Sequence, residues 1–390
     1  IGLSGIISEM VKLPEFISYL KLRTSYTEVG SPITQTGITP GTVTDPMSGG
    51  VINPISTYPY PDFKPERTKS YEVGINARFL NGRISFDGTF YQSNTYNQTF
   101  LSVMSPATGY SGFYVQAGNV RNRGVEMTLG YNDTFGKVNY STHLTYTANQ
   151  NKIVEMVHDY RNPIDNSLVN ITELTLKEAG DVYLREGYSM SDVFTTGILQ
   201  RGRDGKLVEE GNGYQVDRSQ RIRLGSADPD FTMGWRHDIN YKNISLGLMI
   251  TGRFGGIVTS QTQAFMDAFG VSKVSAEARD NGGVMLDGHR YDAERYYNTV
   301  GGQGLMSYYT YDATNVRLQE LSLTYSLPKK WLGDVFNNAT ISFVGRNLFM
   351  FYRKAPFDPD MNGSTGTYNR SDFFMAPSLR NLGFSIKFSL

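Results

Sequence analysis

Four consecutive stretches between residues 67 and 149 alternate apolar and polar side chains. That pattern restricts the chain to a sheet with one greasy face and one charged face. In Tyr71–Phe79 the odd positions are Tyr71, Val73, Ile75, Ala77 and Phe79, and the even ones Glu72, Gly74, Asn76 and Arg78. Side chains on a strand point to opposite faces with period two. Asn81-Gly82 follows, a dipeptide suited to the positive φ of a tight hairpin. Ile84, Phe86 and Phe90 then oppose Ser85, Asp87 and Thr89. The second pair repeats the scheme: Val125, Met127, Leu129 and Tyr131 oppose Glu126, Thr128 and Gly130. Across Phe135-Gly136-Lys137, Val138, Tyr140, Leu144 and Tyr146 oppose Asn139, Ser141, His143 and Thr145. A soluble sandwich also alternates, so alternation alone does not decide. Length favours the membrane: strands of soluble domains run about five or six residues. These run nearer ten, the length a tilted strand needs to cross a bilayer.

Composition agrees with an all-β transmembrane antiparallel barrel. Hydrophobic residues make up 39% of the 390 residues, while aromatics reach 13%, with 26 Tyr and 22 Phe against 2 Trp. A wet lumen needs no apolar lining, and an outer wall uses aromatic girdles at its two interfaces. The charges balance, 37 basic against 37 acidic, so nothing directs the chain toward nucleic acid. It has no cysteine, which excludes disulfides, thiolate metal sites and cysteine nucleophiles. No run of about eighteen apolar residues supplies a transmembrane helix. The chain opens on Ile1-Gly-Leu-Ser rather than Met, and we expect it to be part of a longer protein.

Further strands are expected at 17–27, Phe231–Tyr241, Ile244–Phe254, Tyr308–Leu327, Ala339–Tyr352 and Leu379–Leu390. The whole should hold ten to twelve strands, short turns alternating with long loops. Alternation slips near Gln319-Glu320, the mark of a β-bulge. Long loops are expected at about 28–66, 98–119, 150–180 and 256–307. The segment 150–180 reads as irregular, and Gln261–Arg279 reads as a short helix. Arg201–Gly205 reads as a turn joining Val193–Leu199 to Lys206–Glu210. The charged face would present Glu72, Arg78, Asp87, Glu126 and Arg236 to the lumen.

Catalytic and metal constellations are weak. Asp358-Pro-Asp-Met-Asn-Gly363 matches the start of a calcium loop, but position twelve is Asn369 where a bidentate Glu is needed. Whether Asp358, Asp360 and Asn362 hold a metal stays open at this point, and a structured turn is the plainer reading. His143, His158, His237 and His289 lack ligand spacing. No Ser-His-Asp order or G-x-S-x-G elbow is present. No cofactor and no catalytic residue is therefore assigned, and the substrate-binding residues stay unknown. Tyr58-Pro-Tyr60 and Tyr308-Tyr309-Tyr311 could stack on sugar rings or simply pack loops.

Several passages together carry a family resemblance. Gly118-Asn-Val-Arg-Asn-Arg-Gly-Val-Glu-Met127, Tyr19-Leu-Lys-Leu-Arg-Thr-Ser-Tyr26 and Glu66-Arg-Thr-Lys-Ser-Tyr-Glu-Val-Gly-Ile75 resemble strands of SusC/RagA-like TonB-dependent outer-membrane transporters. Tyr311–Pro328 and Gly345-Arg-Asn-Leu-Phe349 resemble that family's closing hairpins. Asn381–Phe388 is similar to its C-terminal insertion signal, with Ile386 where an aromatic is usual. The resemblance implies the C-terminal half of a barrel of roughly 22 strands in a Gram-negative outer membrane, with the plug outside this chain. It further implies active import of oligosaccharides, or failing that oligopeptides, without catalysis. The implied partners are a SusD-like surface lipoprotein, the TonB complex, outer-membrane lipid and possible pairing of transporter–lipoprotein units. A passive porin-like or adhesin barrel is the alternative.

Overall fold

The computed structural model describes residues 1–32, 43–44, 52–53, 57–58, 63–161, 166–176, 182–332, 336–360 and 371–389. One sheet dominates. Its eleven strands are β1 (Gly2–Ile6), β2 (Ile17–Ser31), β3 (Glu66–Phe79), β4 (Ile84–Tyr96), β5 (Asn119–Phe135), β6 (Val138–Glu155), β7 (Phe231–Tyr241), β8 (Ile244–Phe254), β9 (Asn315–Ser326), β10 (Asn338–Arg353) and β11 (Asn381–Ser389). Each pairs antiparallel with the next in chain order. The count falls inside the expected ten to twelve. β5 and β6 reach 17 and 18 residues, longer than one bilayer crossing requires. No helix among the described residues is long and apolar enough to cross a membrane.

The short turns gather at one end. Asn81 and Gly82 take φ of 56° and 84°, and Gly136 and Lys242 take 62° and 50°, left-handed values that close tight hairpins. Register aligns the apolar positions into continuous rungs. One runs Ala77, Phe86, Leu129, Leu144, Trp235 and Ile250; another runs Leu246, Leu323, Phe343 and Phe384. Many of these side chains stand bare: Val73 is 59% exposed, Leu129 48% and Phe384 68%. A soluble sheet would cover such a face; a lipid-facing wall leaves it open. Aromatics bracket it. Tyr26–Tyr71 and Tyr146–Phe231 lie toward the loop end, with ring centroids 4.9 and 5.3 Å apart, and Tyr131–Tyr140 toward the turn end at 6.3 Å.

Several loop expectations need correction. The loop drawn at 28–66 is shorter at both ends, because β2 continues to Ser31 and β3 begins at Glu66; most of its interior lies outside the described residues. The 98–119 segment is a hairpin, Gln98–Val103 with Gly112–Ala117. The 150–180 segment is not irregular. β6 runs through it to Glu155, and Val157–Arg161 pairs with Leu168–Ile171, Glu173–Thr175 with Tyr183–Arg185. These pieces bury Ile153, Met156, Leu174, Leu176 and Leu184 against Phe100 and Val120, a small core that polar neighbours hid from the sequence pattern. Arg201–Gly205 does turn, with Arg201 bridging Leu207 across it, while Asp192–Leu199 pairs with Val216–Ser226. The 256–307 excursion holds three helices, Gln261–Ala268, Lys273–Asp280 and Ala293–Val300, each with a side-chain N-cap from Ser260, Ser272 or Asp292. The single helix expected at Gln261–Arg279 is thus broken at Gly270 (φ 68°). Their core gathers Leu199, Tyr214, Tyr291, Tyr296, Val300 and Tyr309. The strand expected at Tyr308–Leu327 divides: Thr310–Asp312 joins a small separate sheet with Ile257–Ser260, and β9 starts at Asn315. The slip near Gln319 is real, since register shifts between Leu318 and Glu320.

Candidate polar face and loop-end cavities

The charged face is one surface. Rungs on this side run Glu72–Tyr91–Gly124–Asn149 and Asn76–Asp87–Thr128–Thr145, so Glu72, Arg78, Asp87, Glu126 and Arg236 share it. Glu72, Glu126 and Arg236 are exposed on it. The guanidinium of Arg78 sits 5.4 Å from the Tyr19 ring centroid.

Two of the five, Asp87 and Arg236, belong to ion networks. Arg23 reaches across β3 from β2 to β4, where it pairs with Asp87 at 2.7 Å and donates to Thr89. Asn76 donates to the same carboxylate at 2.7 Å. Gly74 permits the crossing, since a Cβ there would lie 2.5 Å from Arg23 Nε. Further round, Arg236 pairs with Asp238 at 2.8 Å and faces Glu320 at 3.9 Å, which Arg346 also holds at 2.9 Å. Charges bound to one another present a hydrated, fixed lining.

Toward the loop end the lining turns into a clamp. Arg317 is buried and binds Asp358 at 2.9 Å and Asp360 at 2.7 Å. Ser378 donates to Asp358, and so does the Asp360 amide. Burial pushes the Asp358 carboxyl up, but Ser378, Arg317 and that amide outweigh it and hold it below the usual carboxylate range. The first two acids of the calcium-loop match are therefore partners of arginine; Asn362 and Asn369 lie outside the described residues. Among the described residues no group of three metal-type ligands converges.

Among the described residues, several cavities open at this end, and two bear on the charged lining. One, of about 570 Å³, is lined by Asn149, Asn151, Tyr188, Ser189, Asp192 and Arg223, among others. Asp192 is buried and paired with Arg223 at 2.7 Å; that contact holds the guanidinium proton more firmly than usual. Asn151 accepts from the Ser189 hydroxyl and the Met190 amide. The other, of about 650 Å³, lies between Thr195, Arg218, Arg221, Phe265 and Gly301–Gly304. Arg221 stacks on Tyr183 at 4.1 Å. Burial and the hydrogen bond to Glu173 push the Tyr183 phenol up to about 12. The pairings of Asp192 with Arg223 and of Arg317 with Asp358 escaped the sequence reading. Their only local signal is an isolated charge in a polar stretch.

Tyr309 is buried, and Tyr308 and Tyr311 pack against the helical core; Tyr58 meets Tyr110 edge-on at 5.1 Å, while Tyr60 lies outside the described residues. The histidines stay apart. His143 faces Arg236, His158 contacts Glu186 at 3.6 Å, His289 flanks Tyr291, and His237 shares a 2.7 Å hydrogen bond with Tyr140.

A sheet with one bare apolar face, one charged face and large excursions at one end has the build of a membrane β-barrel wall. The chain belongs to the TonB dependent receptor-like, beta-barrel family, whose model matches residues 14–251. It is 25% identical over 404 aligned positions to TonB-dependent receptor P3 of Formosa agariphila, covering 95% of this chain and 40% of that protein. TonB-dependent receptor P26 of the same organism is 25% identical over 321 positions, covering 77% of this chain and 32% of the relative. In structure, a chain of the RagAB peptide transporter matches with a TM-score of 0.72 at 16% identity, over 99% of this chain and 42% of the other. The resemblance to SusC/RagA-like proteins thus holds at the level of family and fold. The chain spans well under half the length of these relatives. The family is one of receptors and transporters, not an enzyme class, and its members are outer-membrane barrels of Gram-negative bacteria.

Proposed function

We propose that this chain is the C-terminal half of the wall of a TonB-dependent importer, in a barrel of roughly 22 strands. The carrying observation is the pairing of a lipid-type exterior with a charged interior, part of which is tied into the Arg23–Asp87 and Arg236–Asp238–Glu320–Arg346 networks. Such a lining passes a hydrated solute without trapping it as an isolated charge would. The plug, the TonB contact and the surface lipoprotein would be supplied by sequence and partners beyond this chain, as would any pairing of transporter–lipoprotein units. The excursions at 98–119, 150–180 and 256–307 face outward in this reading and meet the substrate first.

The substrate is an oligomeric nutrient. Amide, hydroxyl and carboxylate groups beside Tyr188 in the 570 Å³ cavity suit the hydroxyls and CH faces of an oligosaccharide. The RagAB fold, taken from a peptide transporter, supports oligopeptides as the second reading. The test is uptake of labelled oligosaccharides and oligopeptides by cells carrying the full-length protein, with and without an uncoupler. Uptake abolished by the uncoupler supports active import; uptake that persists identifies a passive pore.

A further inference from the structure

We propose that the 650 Å³ cavity at the loop end binds the carboxylate of an acidic oligosaccharide, with Arg221 and Arg218 as the groups that hold it. This rests on the import reading above and narrows its substrate to sugars that carry uronate carboxylates. The cavity lies between the strand pair Asp192–Leu199 with Val216–Ser226, the start of the helix Gln261–Ala268, and Gly301–Gly304. Arg221 sits opposite Thr196 in register, and Arg218 reaches the Thr196 carbonyl beside the irregular step between Thr196 and Ile198. Both arginines are exposed, so both guanidinium groups meet whatever enters. No carboxylate lines this cavity among the described residues. The 570 Å³ cavity on the same strand pair differs, setting Asp192, Asp228 and Asp230 beside Arg223 and Lys152.

The way Arg221 is held points to an anion. Its guanidinium stacks on the Tyr183 ring at 4.1 Å, and it makes no ion pair and no hydrogen bond among the described residues. Stacking fixes the plane of the fork but leaves its edge N–H groups unspent. Arg23, Arg223, Arg236 and Arg317 are instead spent on acids. Glu173, the acid beside Tyr183, accepts from the Tyr183 hydroxyl and pairs with Arg185 at 3.8 Å. Phe194 braces the Tyr183 ring edge-on at 5.0 Å. Arg218 donates only to neutral oxygens, the Thr196 and Gln303 carbonyls and the Gln303 side chain, at 3.2 to 3.4 Å. It thereby offsets the carbonyl end of the helix Ala293–Val300, whose dipole would repel an anion. A carboxylate matches the planar, two-pronged donor geometry of arginine. Thr175, Thr195, Gln261 and Gln303 add hydroxyl and amide groups that suit ring hydroxyls, and Phe265 adds an apolar surface for ring CH groups. The volume falls within the range of about 300–1,000 Å³ typical of ligand pockets.

The experiment is titration calorimetry on the full-length protein in detergent, with tetragalacturonate, its fully methyl-esterified form and tetraglutamate as probes. The ester keeps the rings and linkages and removes the charge. The wild type should bind tetragalacturonate roughly tenfold or more tightly than the ester, and the gap should narrow as salt is added. Arg218→Gln/Arg221→Gln should bring the acid down to the affinity of the ester while leaving ester binding unchanged. Arg218→Lys/Arg221→Lys should keep part of the gap; where the glutamine pair fails to fold, this variant and the salt series decide. Equal affinity of the wild type for acid and ester overturns the proposal, as does a preference that survives in the glutamine pair. Tighter binding of tetraglutamate than of tetragalacturonate also overturns it and marks the cavity as a peptide site. Binding in detergent needs no energy supply. Uptake that an uncoupler leaves intact, with the acid preference present, therefore counts against the import reading alone, and uncoupler-sensitive uptake without the preference counts against this site alone.

Discussion

At the scale of residues, the decisive contacts are arginine–carboxylate pairs far apart in sequence. Arg317 is the clearest. With its side chain 6% exposed and two acids upon it, truncation leaves Asp358 an uncompensated buried charge. Arg317→Met should destabilise the refolded barrel by about 3–5 kcal/mol, read from the urea midpoint; an unchanged midpoint refutes the clamp. The same contact sets a pH dependence. The folded Asp358 carboxyl is held below its unfolded value. Its contribution is therefore complete above the usual carboxylate range and is lost as pH falls through that range toward the folded value. Wild type should weaken relative to Asp358→Asn in acid titrations below about pH 4; parallel curves would remove the linkage. None of this was evident from composition. Asp358-Pro-Asp360 reads locally as the start of a metal loop, and only the fold brings Arg317, 41 residues away, onto it.

At the scale of elements, the strands were readable and the excursions were not. β3 to β8 follow from period two because each exposes one face to hydrocarbon and one to water, so the signal repeats in every residue pair. Ile75 and Phe86 lie on the outer face. Ile75→Arg or Phe86→Arg should cost about 2–4 kcal/mol near the midplane, measured by refolding into vesicles, whereas Thr147→Arg, exposed on the polar face opposite Glu126, should stay within about 1 kcal/mol. Equal costs on both faces would reverse the assignment of sides. The excursions obey different rules. Their strands are short and paired across turns, and they bury single residues such as Leu184, fully enclosed. Leu184→Ala should cost the excursion about 2–5 kcal/mol. The loss should appear as faster amide exchange over 153–185 with unchanged protection in β7 and β8; global loss of protection would mean that excursion and wall form one cooperative unit.

At the scale of the whole molecule, the architecture separates a wall from a recognition layer. The helices between 261 and 300 share a core with Leu199, Leu207 and Tyr214 of the neighbouring excursion and lie between β8 and β9 in the chain. Replacing residues 261–300 by a short Gly-Ser linker should leave a heat-modifiable barrel on gels while cutting substrate retention at least tenfold. Retention at wild-type level would place recognition on the wall or on a partner instead.

What the sequence determined alone was the alternation, the short turns at Asn81-Gly82 and Lys242-Asn243, the bulge at Gln319 and the family. All are local: strand period, left-handed turn residues and motif spacing need no knowledge of distant partners. Tertiary structure decided the rest. It alone joins Arg23 to Asp87 over Gly74, Arg317 to Asp358 and Asp192 to Arg223, and it alone stacks Arg221 on Tyr183. Those juxtapositions depend on inter-strand register and on how polar segments fold back, and a one-residue slip would send those of the side chains that sit on paired strands to the opposite face.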